Sequence, residues 1–322
     1  MTGIVVCTWA RNTGHAEDFA RVLRAELRVF SMPGPTARWF APVRWVVSSV
    51  RMAVWLPRRR PKIVIVSNPP IFAPLVAYAY CRLFRATLVL DSHPASFGAS
   101  GDVWERFVWL HAFLGRRARA TLVTTRHYAE LVDRWGGVGL VLHEPPPEWK
   151  AMPPTAPGPR PRVLFVTVFD PDEPVDEIVE AARLLSDCDV VVTGDTSRAP
   201  RSMIESAPEN VRFTGWLVYA RFLGELGSAD VVVCLTTSPH AVLRSASEAI
   251  YAGRVVVVSD QPALRDAFSP AVFCANDAEG IAAGVRQALS EHDHWRQQAD
   301  SARQRLSERW DDQLSALRRR LT

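Results

Sequence analysis

Residues 229–260, ADVVVCLTTSPHAVLRSASEAIYAGRVVVVSD, gather side chains suited to holding an anion. Val231 to Leu235 is a short apolar β run. Thr236, Thr237, Ser238, Pro239 and His240 follow as a polar loop predicted to open a helix, and Gly253 stands where a helix C-cap belongs. Hydroxyls at a helix N-terminus suit phosphate, because unpaired N–H groups and the helix dipole both favour negative charge. Glu248 is predicted two turns into that helix, and Arg244 on the same stretch is a candidate phosphate partner. Asp91 and His93 follow the apolar run Thr87 to Leu90, at the C-terminal end of a predicted parallel strand. Open α/β sheets present ligands at that end, so both are candidates to orient a substrate or take its proton. His15, beside Gly14 in the first βα loop, and His127, at the start of a later helix, are candidate acceptor contacts. Gly194 and Gly215 end predicted strands and permit close backbone approach, and Thr167 ends another.

The elements that must position these groups alternate strand and helix along the whole chain, which predicts parallel sheets. A strand Ile4 to Thr8 leads through Asn12, Thr13 and Gly14, read as loop and cap, into a helix from Ala16 to Leu27, with a second strand starting at Val29. Residues 37–57 read as an amphipathic helix on which Arg44, Arg51 and Arg58 share a face. A further helix is predicted from Val103 to Arg117, and Trp216 is assigned to a core. Residues 145–161 hold eight prolines in 17 positions, a density that excludes helix and central strand. The expected division is a first domain over residues 1–144, a linker over 145–161, a second domain over 162–295 and a terminal helix over 296–322 that packs back on the first. His143 and Glu144, just before the linker, are read as hinge.

Charge divides the same way. Residues 1–150 hold 20 Lys+Arg against 10 Asp+Glu and carry eight of the 11 Trp, while the remainder holds 18 against 24. A basic, Trp-rich half suits an anionic membrane surface or a phosphate-bearing acceptor. Five scattered cysteines show no metal spacing and fall in apolar runs, which predicts buried, reduced thiols and no structural metal. No apolar run is long enough to span a bilayer and no signal-peptide pattern opens the chain, so a cytoplasmic protein, peripheral at the inner face of the membrane, is expected. The first strand is not followed by G-x-G-x-x-G and no Walker A lysine occurs, which argues against a dinucleotide-dependent oxidoreductase and a P-loop NTPase.

The stretch NVRFTGWLVYARFLGELGSADVVVCLTTSPHAVLRSASEAIYAGRVVVVSD resembles the donor domain of family 4 glycosyltransferases. VIVSNPPIFAPLVAYAYCRLFRATLVLDSHPASFG resembles the acceptor domain of that family and of the β-mannosyltransferase acting on dolichol-linked chitobiose. The likeness implies an α/β protein of the GT-B fold, with two Rossmann-like domains whose parallel sheets face a cleft. It also implies that Glu248 matches the second glutamate of the family's paired-glutamate motif and contacts the nucleotide ribose. His240 replaces the first glutamate, near the donor sugar. With Thr167, Thr237, Ser238, Arg244, Gly194 and Gly215, Glu248 would form the donor side. Asp91, His93 and His240 would be the catalytic set, and Gly14, His15 and His127 the acceptor side. The family's basic phosphate loop is replaced by Thr-Val-Phe-Asp-Pro-Asp-Glu-Pro at residues 167–174. There, backbone amides are expected to hold the diphosphate, or a divalent cation to bridge Asp170 or Asp172 to it.

The function these readings imply is transfer of a hexose from a UDP-, GDP- or TDP-sugar to a lipid-linked or cell-envelope glycan, with no cofactor required beyond the nucleotide sugar as co-substrate. Nucleic acid is not the expected partner. Two other functions fit the same residues: transfer to a soluble natural product or modified RNA base, and a degenerate GT-B protein that binds a nucleotide sugar or scaffolds a partner.

Overall fold

The computed structural model describes residues 3–10, 14–32, 40–98, 103–147 and 158–321. The expected cap residues Asn12 and Thr13, the start of the Arg-striped helix and most of the Pro-rich linker lie outside them. The chain forms two compact units, Met1–Pro145 with Trp310–Thr322, and Pro146–Arg309.

The first unit is built from β1 (Ile4–Thr8), α1 (Gly14–Val22), β2 (Glu26–Val29), α2 (Ala41–Arg59), β3 (Ile63–Asn68), α3 (Phe72–Phe84), β4 (Thr87–Ser92), α4 (Val108–Gly115), β5 (Ala120–Val123), α5 (Arg126–Arg134) and β6 (Gly139–Val141). Its six strands are parallel in the order β2-β1-β3-β4-β5-β6. Alternate side chains of β1, β3 and β4 bury on opposite faces. Val5, Val64 and Leu88 point into one core, and Val6, Ile65 and Val89 into the other. Trp310, Leu314 and Leu317 of the terminal helix complete the second of these cores.

Local chemistry corrects three boundaries. Helix α1 ends at Val22 rather than Leu27, because Arg24 turns left-handed at φ 51° and the N–H of Ala25 closes back on the carbonyl of Ala20. Leu27 therefore belongs to β2, which starts at Glu26 rather than Val29. The stretch expected as one helix from Val103 is a 3-10 turn, Val103–Phe107, followed by the shorter α4.

The second unit contains β7 (Arg162–Val166), α6 (Val175–Leu184), β8 (Asp189–Val192), α7 (Arg201–Glu205), β9 (Val211–Phe213), α8 (Tyr219–Ser228), β10 (Val231–Cys234), α9 (Arg244–Tyr251), β11 (Val255–Ser259), α10 (Pro262–Phe268), β12 (Val272–Cys274) and α11 (Ala278–Ser290). Helix α12 (His292–Leu321) follows, its last residues belonging to the first unit. The second sheet is also parallel, ordered β12-β11-β10-β7-β8-β9, so the strand order reverses between β7 and β10. In the first sheet it reverses between β1 and β3. Loops leaving the carboxyl ends of strands at such a reversal diverge and leave a crevice for ligand.

Candidate functional site

In the second unit, the loops after β7 and β10 flank the reversal and are tied together. The hydroxyl of Thr236 donates to Asp172 Oδ2 at 3.0 Å, the N–H of Thr237 donates to the Asp172 carbonyl at 2.6 Å, and the Thr237 hydroxyl donates to the same carbonyl. Ser238 is held through its N–H to the Thr236 hydroxyl. The polar loop is thus fixed, but it does not open the helix. Helix α9 starts at Arg244, past Pro239 and His240, with Leu243 as a cap whose side chain makes no capping bond. His240 lies outside it, and Glu248 is one turn in rather than two.

Glu248 is 5% exposed. Its Oε1 accepts from the Tyr219 hydroxyl at 2.7 Å and from Arg244 Nε at 2.8 Å, and the Arg244 guanidinium lies over the Tyr219 ring at 5.7 Å. Burial, reinforced by the neighbouring carboxylate, raises the Tyr219 phenol far above its ordinary pKa, so it stays a donor. The i, i+4 spacing of Arg244 and Glu248 was legible in the sequence. Tyr219, on a different helix 29 residues away, was not.

The loop after β7 departs from expectation. The Thr167 hydroxyl and the N–H groups of Val168 (3.0 Å) and Asp170 (3.1 Å) all donate to Glu173 Oε2. The amides expected to cradle a diphosphate are filled by the chain's own carboxylate, whose pKa burial raises despite these bonds. Asp170 pairs with Arg198, and Asp172 takes the Thr236 hydroxyl, so the acidic side chains expected to bridge a cation are engaged within the protein. Gly194 sits at φ +121°, where an added Cβ would lie 2.6 Å from the Thr167 carbonyl oxygen. Gly215 is left-handed at φ +68° in open surroundings. Trp216, expected in a core, is 64% exposed, because the turn after β9 carries it outward beside exposed Val218.

In the first unit the structure brings together groups from the start of α1, the ends of β3 and β4, and the stretch after β6. His15, the second residue of α1, stands between two carboxylates: Nδ1 is 2.7 Å from Glu144 Oε1, and Nε2 is 3.1 Å from Asp91 Oδ2. His93 Nε2 lies 3.9 Å from the same Asp91 oxygen, and the His15 and His93 rings meet at 5.0 Å. Ser67, at the end of β3, also donates to Asp91. Burial opposes a charged ring at His15, but the carboxylates of Asp91 and Glu144 outweigh it and hold its proton well above the ordinary histidine range. Burial likewise opposes ionisation of Asp91, and His15 overcomes it, lowering the carboxyl to about 2. Glu144, read as hinge, is thus part of the cluster. The strand β6 that delivers it pairs with β5 far from His15 in sequence, and no local pattern signals that meeting. His127 lies elsewhere, at the start of α5 beside Tyr128, and Gly14 opens α1.

A cavity of about 360 Å³ lies at the reversal of the first sheet, lined among others by Trp9, Arg44, Trp45, Pro69, Pro70 and Trp104. Beside it, the amide of Asn68 is 1% exposed, and neither its nitrogen nor its oxygen finds a partner. The indole nitrogen of Trp9 is buried without a partner as well. Unpaired buried polar atoms are costly unless water or a ligand meets them. Sequence reading noted the abundance of Trp in this half but not the convergence of three indoles.

Residues 160–291 match the profile of the family described as glycosyl transferases group 1. Among solved structures, the fold is similar to sucrose-phosphate synthase from Thermosynechococcus elongatus (TM-score 0.77, 15% identity, covering 99% of this chain and 98% of that one). It is also similar to HepE of Anabaena in complex with UDP and glucose (TM-score 0.71, 12% identity, 96% of each chain). A third similar structure is the glycotransferase of kitacinnamycin (TM-score 0.61, 16% identity, 100% of each chain). No curated protein matches the sequence.

Proposed function

We infer that this chain, a nucleotide-sugar glycosyltransferase of the GT-B fold, moves a hexose from a nucleoside diphosphate sugar to a lipid-linked or cell-envelope glycan. The observation that carries the reading is the second unit: a match to glycosyl transferases group 1 over residues 160–291, laid on a parallel sheet with buried Glu248 and Arg244 after its strand reversal. The UDP and UDP-glucose complexes of the similar HepE support a uridine donor. On this reading Glu248, held by Tyr219, receives the ribose hydroxyls, and Arg244 supplies the cation that the loop after β7 lacks. Thr237, Ser238 and His240 face the donor's sugar end. Transfer draws most of its rate from holding donor and acceptor in line and stabilising the departing diphosphate.

Asp91 and His93 are the groups proposed to orient the acceptor hydroxyl and take its proton, and the Trp-lined cavity is proposed to hold the body of the acceptor. Helix α2 supports a lipid-linked acceptor. It exposes Val43, Val46, Val50 and Val54 and carries Arg51, Arg58 and Arg59, a combination suited to an anionic lipid surface. No helix among the described residues is long and apolar enough to cross a membrane.

A second reading is a GT-B protein that binds a nucleotide sugar without transferring it. Glu173 filling the loop amides favours it. A thermal-shift series with UDP, GDP, ADP and TDP and their hexoses, with and without Mg²⁺, tests both. A selective rise in Tm for one nucleotide, followed by release of that nucleoside diphosphate when acceptor is added, supports transfer. A selective rise with no release from any acceptor supports the binder, and no response at millimolar ligand refutes both.

A further inference from the structure

The cluster of His15, Asp91 and His93 has the composition and spacing of a metal site. One ligand atom from each, His15 Nε2, Asp91 Oδ2 and His93 Nε2, lies within 4.8 Å of the others. The His15–Asp91 and Asp91–His93 separations are 3.1 Å and 3.9 Å. Ligands about 2.0–2.1 Å from a tetrahedral ion are roughly 3.3–3.4 Å apart, so small side-chain shifts would close the set. Two imidazoles and one carboxylate suit zinc, and three protein ligands with a fourth position open are the pattern of reactive rather than structural zinc sites.

The surroundings fit as well. A histidine that ligates through one nitrogen usually donates its other N–H to a carboxylate, which fixes the ring and its tautomer. Glu144 is in that place, 2.7 Å from His15 Nδ1. Ser67 donates to Asp91, as expected for a ligating carboxylate that is itself held. The His93 side chain is 39% exposed, which gives an ion a path in and leaves room for a further ligand.

We propose that His15, Asp91 and His93 bind a zinc-type divalent ion, with Glu144 positioning His15. The role of the ion, unlike its site, rests on the transferase reading: its open position takes an oxygen of the acceptor, a hydroxyl or phosphate. With an ion bound, Asp91 and His93 would orient the acceptor oxygen through it, and the proton-taking role proposed for them would belong to the cluster without the ion.

The test needs neither donor nor acceptor. Chelator-treated full-length protein is titrated with Co²⁺, followed by its visible d–d absorption, and with Zn²⁺ by calorimetry. The expected result is one ion per chain. Binding should be lost in Asp91→Asn and His93→Ala and weakened about 10- to 100-fold in Glu144→Gln. His93 is partly exposed, so His93→Ala should fold, and thermal unfolding of each variant checks this. The absence of stoichiometric Co²⁺ or Zn²⁺ binding at millimolar ion would overturn the proposal, as would binding undiminished in His93→Ala. Neither result would touch the nucleotide response in the second unit, so the two readings fail separately.

Discussion

If Glu248 receives the nucleotide ribose, Tyr219→Phe should weaken donor binding without unfolding the protein. The substitution deletes one hydroxyl and keeps the ring that lies under Arg244. That hydroxyl donates to Glu248 Oε1 at 2.7 Å, and a hydrogen bond to a charged group contributes about 1.5–3 kcal/mol net. Glu248 is 5% exposed, but Tyr219 is 44% exposed, and Arg244 still donates to the same oxygen. Water can therefore replace part of what is lost, and the low end applies. About 1.5 kcal/mol corresponds to roughly a tenfold rise in donor Kd. Glu248→Gln keeps the shape but removes the charge and should cost at least as much. Glu248→Ala, which also strips Arg244 of its partner, should abolish transfer. Because the ribose contact is made equally in the bound and transition states, KM should rise for Tyr219→Phe with kcat nearly unchanged. The assay is calorimetric titration with the nucleotide that raises Tm, paired with initial rates, on variants whose Tm lies within about 2 °C of the parent. Wild-type donor affinity and turnover in both Tyr219→Phe and Glu248→Gln would refute this placement of the ribose.

Three other outcomes are expected. Glu173→Gln removes the charge that fills the amides after β7, so nucleoside diphosphate should bind up to about tenfold more tightly by the same calorimetry; unchanged affinity would mean that the phosphates never approach that loop. Gly194→Ala forces a side chain onto a φ of +121° with its Cβ 2.6 Å from the Thr167 carbonyl, and a loss of about 1–3 kcal/mol should appear in denaturant unfolding. His111 is buried, with Nδ1 toward the Ser96 carbonyl and Nε2 toward the Ser92 hydroxyl, and burial lowers it from 6.5 to about 4, so the folded ring is neutral. The stability this represents is fully present above pH 6.5 and is lost as pH falls towards 4. At about 1.36 kcal/mol per unit it comes to roughly 3 kcal/mol, and the loss should be absent from the pH profile of His111→Gln.

The alternation of apolar runs with amphipathic stretches in this sequence is enough to require two parallel α/β sheets. Val231–Cys234 and Val255–Ser259 are buried throughout, as uninterrupted valine runs demand. The glycosyltransferase resemblance was likewise legible, because the segment around Glu248 keeps its strand–loop–helix order in sequence. Errors of boundary arose where one residue overrode a periodic pattern, as Arg24 did by turning left-handed. Exposure of Trp216 went the same way, since composition favours burying an indole and only the turn after β9 carries it outward.

What tertiary structure alone decided is which side chains meet. His15 at the start of α1, Asp91 near the end of β4 and Glu144 after β6 come from elements 76 and 129 residues away from His15, and sheet order, not spacing, brings them within 3.1 Å. Tyr219 reaches Glu248 for the same reason. Glu173 turns back on its own loop because the amides of Val168 and Asp170 point inward there, a feature of backbone direction that residue types do not encode. Periodicity records which face of an element is buried. Contacts between distant loops depend on the order in which strands assemble, and the amino-acid sequence reveals that order only once it has folded.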